Sequence, residues 1–187
     1  MAKMRRVPVG RDGAPKTTPV EEQAEDVQRE DCGCPHLDPE DWHEVESDWS
    51  DIAFVRGTTT AVLGVPVGYA NLRQELSARA EKLGASVPDD AMLLLGSGNF
   101  RRSLLLEVEG VEPGTKGVEF PGGMAFSRLV SAPWGQMKSL VEESENMAEE
   151  RYGRRPDDIW VWYLTCRICS SERNFETLIV GHYREKP

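Results

Sequence analysis

Residues 88–95, Pro-Asp-Asp-Ala-Met-Leu-Leu-Leu, have a counterpart in residues 156–163, Pro-Asp-Asp-Ile-Trp-Val-Trp-Tyr. In both places an acidic turn opens an apolar run of strand length, and a helical pattern stands just before it. Ahead of the first copy, Ala53 to Leu63 is rich in β-branched and apolar residues; Tyr69, Leu72, Leu76, Ala80 and Leu83 then step by 3, 4, 4 and 3 along a helix that ends at Gly84. After it, Ala91 to Leu95 and a Gly-Ser-Gly-Asn turn lead into a second run, Ser103 to Glu109, closed by Gly110. The same order returns roughly 65 to 70 residues later. Met124 to Val130 reads as the strand, and Pro133 opens a helix whose apolar stripe is Trp134, Met137, Val141 and Ala148 and which ends near Gly153. Ile159 to Thr165 follows, then a loop carrying Cys166 and Cys169, then Phe175 to His182.

Strand, helix, strand, strand, read twice, predicts an α+β fold of tandem duplicated βαββ units. The units pair across a pseudo-twofold axis into one antiparallel sheet with two helices on one face. The domain is expected over 52–183, with repeats at about 52–110 and 118–183 and helices at about 67–83 and 133–151. The other face of the sheet and the groove between the halves stay available for a ligand.

Charge sharpens the division. Residues 1–20 carry five bases and one acid, 21–51 carry 13 acids and one base, and 52–187 carry 18 acids and 16 bases, so the first 51 residues hold −8 of the net −10. Residues 1–30 mix Pro, Gly, Thr and charge without an apolar period and are expected to be a disordered tail. From 31 to 51 the sequence is an acidic arm marked by Cys32, Cys34, Leu37, Trp42 and Trp49, whose tryptophans could pin it to the domain surface. A nearly neutral body with an acidic flank has no basic stripe for phosphates, so nucleic acid is not an expected partner. Pro8, Gly10, Gly13 and Pro15 break up the basic N-terminus, and no apolar segment follows as in a signal peptide. The longest uncharged stretch of the body, Gly57 to Leu72, is too short and polar to cross a bilayer. A cytoplasmic protein without membrane contact is the expectation, and its four cysteines then read as thiols or metal ligands.

A Cys-x-x-Cys in a loop between strands lets two thiolates converge on one tetrahedral ion, and Cys32-x-Cys34 could supply two more. Cys32, Cys34, Cys166 and Cys169 are thus candidate ligands of a structural zinc, with iron possible in the same sulfur cage. His36 could replace one thiolate, whereas His43 and His182 read as ordinary surface or strand residues. Two unrelated pairs of reduced thiols, or a redox pair, remain alternatives; the Cys-x-x-Cys does not lie between a strand and a helix, which disfavours the redox one. In Ile159 to Thr165, alternation puts Trp160, Trp162 and Leu164 on one face and Ile159, Val161 and Tyr163 on the other. One set must meet the helices, and parity does not say which.

A tandem βαββ pair with an aromatic just inside each helix start, Tyr69 and Trp134, resembles the GyrI-like small-molecule-binding superfamily, also called bacterial effector-binding domains. Cys32-Gly-Cys34-Pro, Asp38-Pro39, Trp42 and Tyr163-Leu-Thr-Cys166-Arg-Ile-Cys169 look more specifically like a bacterial branch whose members often carry only the label "hydrolase". The resemblance spans residues 31–183. It implies a cleft at the pseudo-twofold axis, lined by aromatics and often a glutamate, that binds amphipathic or cationic organic molecules; some relatives hydrolyse strained electrophiles there. Residues 1–51 have no helical period for the DNA-binding helix-turn-helix that often precedes such domains, so a complete transcription factor is not expected.

The cleft candidates are Tyr69, Trp134, Trp160 and Trp162 for stacking, with Glu107 and Glu176 where the superfamily's cleft glutamates could lie. An ionised carboxylate would pair with a cationic ligand, whereas a desolvated one could activate water as a general base. The first use makes the protein a small-molecule binder and the second a hydrolase of small electrophiles. Either glutamate could equally be an outward-facing strand residue. Glu142, Glu143, Glu145, Glu149 and Glu150 read as a solvated helix face, and no phosphate loop, His-Glu-x-x-His or nucleophile elbow is present.

Overall fold

The computed structural model describes residues 6–8, 33–62, 65–66, 69–98, 100–133, 135–166 and 168–184. Its elements in chain order are β1 (Arg6–Pro8), α1 (Pro39–Trp42), β2 (Val45–Asp48), β3 (Ala53–Val62), β4 (Val65–Pro66), α2 (Tyr69–Lys82), β5 (Leu93–Gly96), β6 (Arg101–Val108), β7 (Val118–Glu119), β8 (Met124–Ser131), α3 (Met137–Tyr152), β9 (Asp158–Tyr163) and β10 (Glu176–Tyr183). The fold is α+β, with a single curled antiparallel sheet. Its strands run in the order β1-β2-β8-β10-β9-β5-β6-β3-β4, with β7 also paired to β3. Outward from the β5–β9 pair, the order is the same on both sides: the second strand of each strand-helix-strand-strand series at the centre, then the third, then the first. That central seam is short, pairing only Leu95 with Val161 and Gly96 with Trp160.

Register settles which face the helices cover. A Cβ on Gly57 would lie 2.7 Å from Leu76 Cδ2 of α2, so the missing side chain lets the helix approach β3. From Gly57 one row of partners crosses the sheet through Leu104, Leu95, Val161, Ile179 and Arg128. Arg128 donates to Ser144 and Glu143 of α3, so both helices lie on this face. Leu72, Leu76 and Ala80 of α2 and Ala148 of α3 are buried, as their periodicity required.

The opposite face carries Trp160, Trp162, Leu178 and Val180, all buried. The acidic arm covers it. Trp42 meets Trp162 edge-on with ring centroids 6.0 Å apart, and Trp49 contacts Phe54 at 5.3 Å and stacks on His182 at 4.9 Å. Between these two tryptophans β2 extends the sheet beyond β8. The arm is also not wholly extended: Asp38 accepts the Glu40 N–H at 2.9 Å and Pro39 supplies a preset φ, which start the single turn α1.

Two local expectations change. The second helix starts at Met137 rather than at Pro133, because Gly135 has φ 89° and cannot belong to a right-handed helix; the Gln136 N–H instead closes a turn onto Pro133 O at 3.1 Å. Within the stretch read as a disordered tail, Arg6–Pro8 forms β1, paired with the outer side of β2, where Pro is tolerated; the rest of 1–30 lies outside the described residues. His182, read as a surface or strand residue, lies on β10 and is buried at 1% exposure, with Nε2 donating to Gly122 O at 2.8 Å.

Candidate functional site

The arm ends its path over the sheet beside the loop that joins β9 to β10. There the sulfurs of Cys34, Cys166 and Cys169 lie within 4.8 Å of one another. All three residues are half-buried and free of disulfides. The Cys166 N–H donates to Cys34 Sγ at 3.1 Å, and the loop is wound tightly by Ser170 N–H to Cys166 O at 3.0 Å and Arg173 N–H to Cys169 O at 2.9 Å. The Cys166 thiol is lowered to about 7, chiefly because the Cys169 N–H points at its sulfur, which outweighs burial; the Ile168 N–H and the other two thiols add to the effect. Thiolate donors in a nest of N–H groups suit a soft, tetrahedral cation, for which sulfurs about 3.8 Å apart are needed. These three residues can therefore hold a metal ion. Cys32, the fourth candidate, lies outside the described residues, and His36 is exposed.

Arg173 stands next to this cluster. Asn174 and Phe175 have φ of 48° and 54°, and Glu176 N–H closes onto Arg173 O at 3.1 Å, giving a tight turn with two left-handed central residues. The turn brings the Arg173 guanidinium against the Glu176 carboxylate. The same guanidinium donates to Leu164 O at 3.3 Å and Pro35 O at 2.7 Å, tying β9, β10 and the arm together. Sequence reasoning missed this role, since an arginine in a polar loop carries no pattern that identifies its partners.

A cavity of about 310 Å³ opens at the end of the β5–β9 seam. Gly96, Arg102 and Ser103 line it from one half, and Asp158, Trp160 and Arg184 from the other. Trp160 is one of the predicted stacking residues, and its buried indole N–H has no partner among the described residues. Asp158 is paired with Arg184, with oxygen and nitrogen 2.6 Å apart. The nearby Asp157 carboxyl is held below the usual range, first by its hydrogen bond from Arg154 and then by the Arg184 N–H.

The other candidates are spread out. Trp162 is 2% exposed beneath Trp42. Glu107, on β6, is half-buried and accepts the Met92 N–H at 3.0 Å, while Glu176 is held by Arg173; neither lines the seam cavity. Tyr69 is the first residue of α2, and Trp134 lies outside the described residues. A second cavity, of about 610 Å³, lies where β2 meets α3, lined among others by Glu46, Asp48, Tyr152 and Tyr183. Among the described residues, no helix is long and apolar enough to cross a membrane.

No curated protein matches the chain. A family model described as "Bacterial hydrolase" matches residues 23–181, a span that takes in the arm with Cys34, the seam and the loop with Cys166 and Cys169. With most of its length in that match, the chain belongs to the Bacterial hydrolase family.

Proposed function

We propose that this protein captures an amphipathic or cationic organic molecule in the groove between its two halves, in the manner of the GyrI-like effector-binding domains that its sequence resembles. The observation that carries this reading is the seam cavity, which draws its lining from both halves and includes Trp160. Glu145, Asp157 and Asp158 line the cavity together with Arg56, Arg102 and Arg184, so both signs of charge are available to orient a ligand, and Val141 and Ile159 add apolar surface. In the same reading Cys32, Cys34, Cys166 and Cys169 form a structural zinc centre, with iron as the alternative occupant. A closed thiolate shell stabilises the fold and offers no open position to a substrate.

A second reading is hydrolysis of a small electrophile, with Glu107 or Glu176 activating water; the family description fits it no better than capture. One set of measurements separates the two. Lipophilic cations and strained electrophiles are tested for binding and for turnover with the wild type, Glu107→Gln, Glu176→Gln and Asp158→Asn. Binding without turnover, weakened by roughly 1–3 kcal/mol in Asp158→Asn, supports capture. Turnover that disappears in one glutamine variant while binding survives supports hydrolysis, because Gln cannot take the proton. If no compound binds or is converted, both readings fall. Metal analysis of reduced, tag-free protein tests the thiolate centre, with about one ion per chain expected.

A further inference from the structure

We propose that the thiolate centre is a latch, in which binding of a soft divalent metal and docking of residues 33–50 onto the sheet are coupled so that each strengthens the other. The proposal rests on the metal reading above and goes beyond it. Cys34 belongs to the arm, and Cys166 and Cys169 belong to the β9–β10 loop, with Cys34 and Cys166 132 positions apart. The three sulfurs converge only while the arm is in place; with the arm away, the loop retains two thiols, half of a tetrahedral shell.

The holds on the rest of the arm are separate from the sulfurs. Ser127 Oγ donates to Trp42 O at 2.8 Å and Val45 O at 3.2 Å, His43 Nδ1 meets Leu129 O at 2.7 Å, and β2 pairs with β8 from Val45 to Asp48. Linkage requires reciprocity. If the metal stabilises the docked arm, then weakening the arm at Ser127 or His43 must weaken metal binding, although neither residue contributes a sulfur. Metal occupancy would thereby govern how often Trp162, Phe54 and His182, which Trp42 and Trp49 cover, are uncovered.

The test uses the full, reduced chain and Zn²⁺ alone. Zinc is titrated in competition with a chromophoric chelator for the wild type, Ser127→Ala and His43→Ala, and amide hydrogen exchange in residues 45–48 is followed with and without zinc. Coupling predicts a zinc dissociation constant about 2- to 10-fold higher in each variant and slower exchange of these amides when zinc is bound. His43 is exposed, so its variant keeps the test valid if Ser127→Ala misfolds. Equal zinc affinity in all proteins, with exchange unaffected by zinc, overturns the latch and leaves the metal centre standing. A reduced chain that binds no zinc overturns both.

Discussion

Replacing Arg173 with Met removes the charged group that joins three segments while keeping a flexible apolar stem of similar reach. The guanidinium is only 14% exposed and its partner Glu176 30% exposed, so the ion pair is screened less than a surface pair but is not dry. Two carbonyl contacts are lost as well, Pro35 O at 2.7 Å and Leu164 O at 3.3 Å. Charged hydrogen bonds contribute about 1.5–3 kcal/mol when buried. Water can reach Glu176, and the Leu164 bond is long, so the sum is closer to about 3 kcal/mol than to three full bonds. For a chain of this length that lowers the melting temperature by about 6–12 °C. Thermal and urea unfolding of the wild type, Arg173→Met, Glu176→Gln and the double variant would measure both the total and the coupling, expected near 1 kcal/mol. A change below about 0.5 kcal/mol in Arg173→Met would refute the idea that this residue ties the arm to the sheet.

A Cβ at Gly96 would sit 3.0 Å from Trp160 Cζ3 and 3.4 Å from Cε3, so Gly96→Ala should cost about 1–2 kcal/mol in urea unfolding and should disturb the seam cavity. Tyr152 donates its hydroxyl to Glu46 Oε1 at 2.6 Å, and burial together with Glu46 pushes the phenol well up, so it stays protonated. Tyr152→Phe should therefore lose about 1 kcal/mol with no pH dependence between 6 and about 9. Asp157, depressed by Arg154 and the Arg184 N–H, contributes stability that is present above the ordinary carboxyl value near 4 and lost as pH falls through its lower folded value. Asp157→Asn should cost less than about 1 kcal/mol at pH 7 because the pair is exposed, and the difference from wild type in unfolding curves should shrink as the pH is lowered below the ordinary carboxyl value.

The repeated Pro-Asp-Asp and the steps of Leu72, Leu76 and Ala80 located strands and helices because each pattern lies within one window and reflects one burial period. Pro133 suits the first turn of a helix and so marked the expected start, whereas the left-handed Gly135 delays the helix to Met137. The turn α1 was not foreseen, because a single helical turn carries no apolar period; its start rests on the Asp38 cap and the preset φ of Pro39. The thiol cluster was half legible. Two Cys pairs imply chelation by chemistry, whereas the approach of Cys34 to Cys166 depends on the route of the arm.

By itself, then, the sequence determined the types and order of α2, α3 and the strands β3, β5, β6, β8, β9 and β10, and the residue types able to bind a soft metal, since local periodicity and donor chemistry belong to the chain. Tertiary structure alone decided that Trp160 and Trp162 face the arm and not the helices, that Arg173 bridges Pro35, Leu164 and Glu176, and that Glu107 receives the Met92 N–H. Alternation divides a strand into two sets without labelling the sides, and contacts between distant segments follow from register and loop closure, which no single window of sequence contains.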